Sequence, residues 1–311
     1  MSQRSPEIPP AFLRRQCLAR LAAWGGVAGL GAVGLRAGPA RGQAASAAAP
    51  GASGPQATEV WPAQRLTPGG VALLDLGAAP QRPRARLEDQ PVLVMGDPAR
   101  WMAVVGIGLA VKPGRLQLHV DRPGRAPQSL PITVSAATYA VQSLRVPQRQ
   151  VELSPEDLAR HERERAHLGR VMATRSDRVP ASLRMQVPVP GPRSSSFGLR
   201  RIFNGQARSP HNGMDIAAPV GTPIVAPLAG QVIDGGDYFF SGRCVWLDHG
   251  SGVLSFYAHL DRIGVETGVE LKAGEPLGTV GATGRVTGPH LHWSVMLNRA
   301  YVDPALFLAP G

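Results

Sequence analysis

The sequence predicts a mainly β protein: a β-sandwich-like N-terminal domain, a linker helix, and a second β domain at the C-terminal end. Three observations carry that expectation. Glycine (37 residues) and proline (30) are plentiful among 311 residues while aromatics make up 5%, which favours turns and short strands over packed helices. Apolar runs are short and stop at Gly, Pro or Asp. One segment alone carries the start signals of a helix.

Residues 59–147 form the β-rich N-terminal domain, with strand candidates at 70–78, 91–96, 101–110, 115–121, 130–136 and 139–146. In the fourth, Arg115, Gln117, His119 and Asp121 alternate with Leu116, Leu118 and Val120, the period of a half-buried strand. His119 falls on the polar side, so solvent is its expected neighbour. No constellation of catalytic groups occurs here. Residues 148–195 supply the helix and linker. Ser154 is an N-cap, Pro155 takes the first helical position, and Glu156 and Asp157 suit the positive end of the dipole. His161 and His167 lie among Arg and Glu, the composition of a solvated face. "VPVPGPRSSS" (187–196) reads as a turn-rich joint before the last domain, 196–311.

Residues 1–44 read as an export signal. Arg14 and Arg15 precede an Ala/Gly/Leu-rich run, and Gly42-Gln43-Ala44 offers a cleavage site of small residues. The arginine pair resembles a twin-arginine signal, with Sec export as the alternative route. The apolar stretch between Arg20 and Arg36 has 15 residues, short of the roughly 20 that span a bilayer. Membrane contact is therefore expected only during export. Residues 45–58, rich in Ala, Ser, Gly and Pro, read as a flexible linker. Removal of the signal takes Cys17 with it and leaves Cys244 as the one thiol, which excludes an intramolecular disulfide and a cysteine-rich zinc cluster.

The formal net charge is +11, but six Arg and one Glu lie in residues 1–44, so the remainder carries +6. Lysine occurs only at Lys112 and Lys272, and the basic residues are interspersed without an aromatic-basic motif. Nucleic acid is not an expected partner.

Five of the eight histidines fall between 211 and 292. "HLHWSVM" alternates, which sets His290, His292, Ser294 and Met296 on one face and presents two imidazoles side by side on a strand. "PHNGMD" places His211 and Asp215 four apart. Gly213 and the following "AAPVGTPI" argue for a loop leading into a strand rather than a helix. An imidazole and a carboxylate are suitable zinc ligands, and a third histidine leaves the fourth position open to water. In "VLSFYAHL" (253–260), His259 shares the polar face of a strand and stands near its end. His249, beside Gly250-Ser251-Gly252, reads as a structural histidine at a hairpin turn.

From about Ser196 to Pro304 the chain resembles the LytM/lysostaphin-type zinc metallopeptidases of cell-wall peptidoglycan. The stretches that carry the likeness are "SSSFGLRRIFNGQARSPHNGMDIAAPVGTPIVAPLAGQV", "VWLDHGSGVLSFYAHL" and "GEPLGTVGATGRVTGPHLHWSV". They hold the family's His-x-x-x-Asp and, far downstream, its His-x-His. The resemblance implies that His211, Asp215 and His292 bind Zn2+, that His259 and His290 are catalytic without being ligands, and that the domain is an antiparallel β-fold of duplicated-hybrid-motif type. The region before it resembles the β-rich N-terminal domain often attached to exported members. An exported zinc metalloendopeptidase acting on peptidoglycan peptides in the periplasm or cell envelope follows as the expectation. No His-Glu-x-x-His motif is present, so histidines must act as acid and base. Some relatives lose zinc ligands and act as non-enzymatic activators of wall amidases; the complete set here argues for the enzyme. Arg200, Arg201 and Asn204, just upstream of His211, read equally well as holders of substrate carboxylates or as solvated surface.

Overall fold

Residues 60–145 and 153–309 are described in the computed structural model. The export signal and the 45–58 linker lie outside them.

Alternation sets the first strands. β1 (Val71–Gly77), β3 (Gln90–Asp97), β4 (Arg100–Gly106), β5 (Gly114–Asp121) and β6 (Gln128–Val134) form where the pattern predicts. β2 (Arg84–Leu87) was not visible in the sequence, because "RARL" is four residues long and sends only small Ala85 and half-buried Leu87 inward past two exposed arginines. The six strands pair antiparallel in the order β1-β4-β3-β2-β5-β6. One continuous sheet bends over its own core of Val92, Val94, Ala103, Val105, Leu118, Val120, Ile132 and Val134, which gives the sandwich-like shape. On β3 and β4 the opposite face is buried too. Leu93, Met95 and Val104 join Val71 in the core of the C-terminal domain, which is why these strands read as unbroken apolar runs. Each such side chain contributes about 1.5–3 kcal/mol on burial, so the two domains are packed together rather than merely tethered. The Asn298 side chain seals the seam, accepting from the Gly106 backbone N–H at 2.6 Å and donating to its carbonyl at 3.1 Å.

β7 (Val141–Leu144) leaves the N-terminal sheet. It pairs in parallel with β9 (Arg200–Phe203), whose other edge takes β10 (Gln206–Ala207). The helix α1 (Pro155–Val171) starts as its signals predict, with Ser154 Oγ accepting from the Asp157 N–H at 3.1 Å. Its histidines do not face solvent alone. The His161 ring meets Phe240 edge-on at 4.8 Å, and burial holds its pKa below the ordinary value. His167 Nε2 lies 2.8 Å from Asp234 Oδ1, and its ring stacks on Tyr238. Charged neighbours in sequence hid an aromatic partner that lies far along the chain.

The C-terminal domain contains β8 (Arg193–Ser195), β11 (Met214–Ala217), β12 (Pro223–Val225), β13 (Gly230–Tyr238), β14 (Gly242–Gly250), β15 (Val253–Ile263), β16 (Glu270–Leu271), β17 (Pro276–Val280), β18 (His290–Leu297) and β19 (Ala300–Val302), then a 3-10 turn, Pro304–Phe307. Its main sheet runs β16-β13-β14-β15-β18-β11-β8, all antiparallel. β18 is buried along its whole length, between β15 and β11. The proline-rich stretch before β8 is partly interior: Leu183, Met185 and Val189 are all buried in the shared core. Among the described residues no helix is long and apolar enough to cross a membrane.

Candidate active site

Sheet register does most of the assembly. On β11, Asp215 stands directly opposite His292 of β18, and Ala217 opposite His290, so the carboxylate and both imidazoles lie along one strand pair. His211 arrives from the loop before β11, held by its backbone N–H to Leu199 O (2.9 Å) and its carbonyl from the Gly198 N–H (2.8 Å). Gly213 lets that loop pass. A Cβ there would stand 2.5 Å from His292 Cε1 and 2.6 Å from Ser294 Oγ, far inside contact distance.

The three side chains converge. Asp215 Oδ1 lies 3.0 Å from His211 Nε2 and 2.9 Å from His292 Nδ1, and the two nitrogens are 3.1 Å apart. All three residues are buried, at 1%, 4% and 0% exposure for His211, Asp215 and His292. Second contacts set the tautomers. His211 Nδ1 donates to Ser196 O at 2.9 Å, which leaves the Nε2 lone pair inward. His292 Nε2 lies 2.8 Å from Ser294 Oγ and can donate to it, which frees Nδ1 in the same way. Acceptors that face one another at this range repel unless a cation sits among them. Their spacing is close to the about 3.3 Å edge of a tetrahedral zinc-type site, and the trio could hold a metal ion. Burial works against the charge on Asp215, yet the His211 and His292 rings against it hold its carboxyl well below the usual range. His292 is pushed well down by burial, against the pull of Asp215.

His259 and His290 complete the cluster, with ring centroids 4.9 Å apart. His259 lies 6.2 Å from His292 by the same measure, and His290 Nε2 is 3.9 Å from Asp215 Oδ1. Each donates its Nδ1–H to a backbone carbonyl, His259 to Thr283 O and His290 to Gly288 O, both at 2.9 Å. The Nε2 of each therefore carries a lone pair. Burial, then the neighbouring His290, pushes the His259 imidazole down to about 3. The strand does not end near His259, as the pattern predicts, but runs on to Ile263. His259 itself adopts φ +66°, a left-handed conformation that costs a side-chain residue about 1–3 kcal/mol. At this point β15 stops pairing with β18 and starts pairing with β17. The kink marks the switch.

His249 is elsewhere. Its Nδ1 donates to Ala229 O (2.8 Å), and Ser255 Oγ bridges its Nε2 to Tyr257 OH, with both links at 2.7 Å. Burial lowers its pKa from 6.5 to about 4. Between those values the unfolded chain binds a proton that the folded chain refuses, so stability is lost as pH falls through this window, by about 3 kcal/mol in all. Denaturant midpoints measured from pH 7 to 4 should fall more steeply for the native protein than for His249→Gln. Parallel curves would show that His249 is not the group responsible.

The arginines divide. Arg200 is exposed, Asn204 lies in the β9–β10 turn with φ +50°, and Arg201 is 1% exposed, its Nε donating weakly to Gln142 Oε1 at 3.4 Å. Burial lowers the Arg201 pKa, and the Asp215 charge opposes that shift. The orienting carbonyls of Ser196, Thr283 and Gly288 were missed, because a backbone acceptor leaves no mark in residue identity.

Fold and donor set define the class: an antiparallel β protein with a candidate metal centre of two imidazoles and one carboxylate. Comparison with known proteins then gives the family. Residues 209–304 match peptidase family M23, and residues 64–136 match the peptidase family M23 N-terminal domain. A Pseudomonas aeruginosa crystal structure reported as peptidase M23 is 44% identical with a TM-score of 0.67, over 78% of this chain and 95% of that one. The chain belongs to peptidase family M23. Peptidoglycan DD-endopeptidase ShyC of Vibrio cholerae is 42% identical over 113 residues, 36% of this chain and 26% of that protein. DD-carboxypeptidase/endopeptidase Mpg of Neisseria meningitidis is 38% identical over 117 residues, 38% of this chain and 27% of its own. The matched stretch thus spans about a quarter of these curated relatives.

Proposed function

We propose that the protein is an exported zinc metalloendopeptidase that hydrolyses peptide bonds in peptidoglycan stem peptides or cross-links. The observation that carries this is the convergence of three inward acceptors, from His211, Asp215 and His292, beside two further imidazoles whose Nε2 atoms are kept as acceptors. His211, Asp215 and His292 hold the ion. When bound, zinc polarises the scissile carbonyl and lowers the pKa of a water to about 7. His259 and His290 handle the protons: one Nε2 accepts a proton from the attacking water and passes it to the leaving amine, while the other takes a proton from solvent and, as an N–H, donates to the developing oxyanion. The Thr283 and Gly288 carbonyls keep each ring turned for that work. The names of the relatives point to the DD class of wall peptide bond.

Digestion of purified wall by the protein freed of residues 1–44 tests the reading. Mass spectrometry should find newly released peptide ends, and a chelator should abolish them. Intact wall peptides in the presence of zinc would return the protein to the non-enzymatic class of wall factors. Export is checked by a reporter fused after Ala44, which should leave the cytoplasm; retention there removes that part of the proposal.

A further inference from the structure

A groove of about 360 Å³ opens at the seam between the two domains. Ala85 of β2 pairs with Val92 of β3, and both turn into the N-terminal core. Alternation therefore puts Arg84 and Arg86 on the other face, the one on which Leu93 and Met95 of β3 pack against the C-terminal domain. Past that covered part the face is open. Asp121 of β5 stands directly opposite Arg84 there. Arg82, two residues before β2, and Asp89, in the turn after it, complete this side of the groove.

The far wall belongs to the C-terminal domain. Ser251, in the turn between β14 and β15, donates its N–H to Ser176 O at 3.0 Å and its hydroxyl to Arg178 O at 2.7 Å. Arg175 crosses the seam. Its guanidinium donates to Ser251 O on one side and to the Pro91 and Val92 carbonyls, each at 3.4 Å, on the other. The groove thus exists only while the domains are docked. Among the described residues Arg175 bonds to carbonyls alone, so no carboxylate cancels its charge.

Among the described residues, the side chains of Arg82, Arg84 and Arg86 have no ion-pair or hydrogen-bond partner. The same holds for Asp89 and Asp121, although register sets Asp121 beside Arg84. Four arginines against two aspartates leave the groove a surplus of two positive charges. A phosphate monoester carries about −1.5 to −2 at neutral pH, and its oxygens match guanidinium forks. A carboxylate would balance only half of that surplus. The aspartates repel a phosphate but accept hydroxyls well. We propose that this groove binds a phosphorylated sugar, its phosphate on Arg82, Arg84 and Arg86 and its hydroxyls on Asp89 and Asp121. The volume lies at the lower end of that for small-molecule sites. The inference goes beyond the peptidase reading and uses none of its residues.

Isothermal titration of the protein with glucose 6-phosphate, glucose and inorganic phosphate, at about 0.15 M salt, tests it. The sugar phosphate should bind at one site per chain, about tenfold or more tighter than either fragment, because each supplies half of the contacts. The double variant Arg84→Gln/Arg86→Gln should weaken it by about tenfold or more. Arg163→Gln/Arg165→Gln removes the same charge from exposed positions of α1 and should change it by less than about twofold, since distant surface charges are screened. Asp121→Ala should narrow the advantage of the sugar phosphate over inorganic phosphate. Unfolding midpoints near the native value show that each variant folds. Absence of binding, equal binding of phosphate and sugar phosphate, or equal losses in the two double variants overturns the proposal. Wall digestion by the same samples keeps the readings apart: cleavage without a titration signal overturns the groove alone.

Discussion

Replacing His211 or Asp215 with alanine should drop bound metal from about one ion per chain to under a tenth of that, and hydrolysis of wall peptide by about 10³-fold or more. Asp215 supplies the one negative charge among the three buried candidate ligands, at 4% exposure. Without it a divalent ion has nothing anionic to balance it, and two imidazoles alone give up both charge and geometry. Asp215→Asn separates the two losses, since the amide keeps the shape and removes the charge; its occupancy should fall between those of the native protein and Asp215→Ala. Elemental analysis of purified protein reads the metal and wall digestion reads the activity. Native occupancy in both alanine variants would remove the assigned centre.

His259→Ala and His290→Ala should keep the metal and still lower kcat by about 10²–10⁴-fold, the range for removing a general acid or base. Their rings are 4.9 Å apart and neither belongs to the trio of candidate ligands, so occupancy and turnover should separate. Because the two rings act as a unit on one transition state, their losses should not add, and the double variant should be little worse than the weaker single one. Steady-state kinetics on a defined peptide, with metal content measured alongside, decides it. Full turnover in both metal-loaded variants would leave these histidines without a catalytic part.

Much of the site was legible because its chemistry is written in spacing. Alternation in "HLHWSVM" put His290 and His292 on one face of a strand, and β18 presents them that way to Asp215. The breaker Gly213 argued for a loop before β11, and the close approach of His292 shows why no larger residue would pass. His249 read as structural, and its bonds to Ala229 and Ser255 leave it no free nitrogen. Other readings failed where the partner lay far off in sequence. His161 and His167 sat among charges, yet Phe240 and Tyr238 are their neighbours in space. β7 looked like a sixth strand of the first sheet and instead joins β9. Nothing in "RARL" announced β2, since only Ala85 is fully buried and Leu87 half-buried in a strand of four.

By itself, then, the sequence determined the β class, the helix start, the residue types able to hold a metal, and which of them share a strand face. These follow from local periodicity and side-chain chemistry, which act over a few residues. Tertiary structure alone decided that Asp215 stands opposite His292 and that Thr283 and Gly288 turn two imidazoles by their carbonyls. Register and backbone bonds arise between segments distant along the chain. Their energy depends on which surfaces are buried together, and no single segment carries that information.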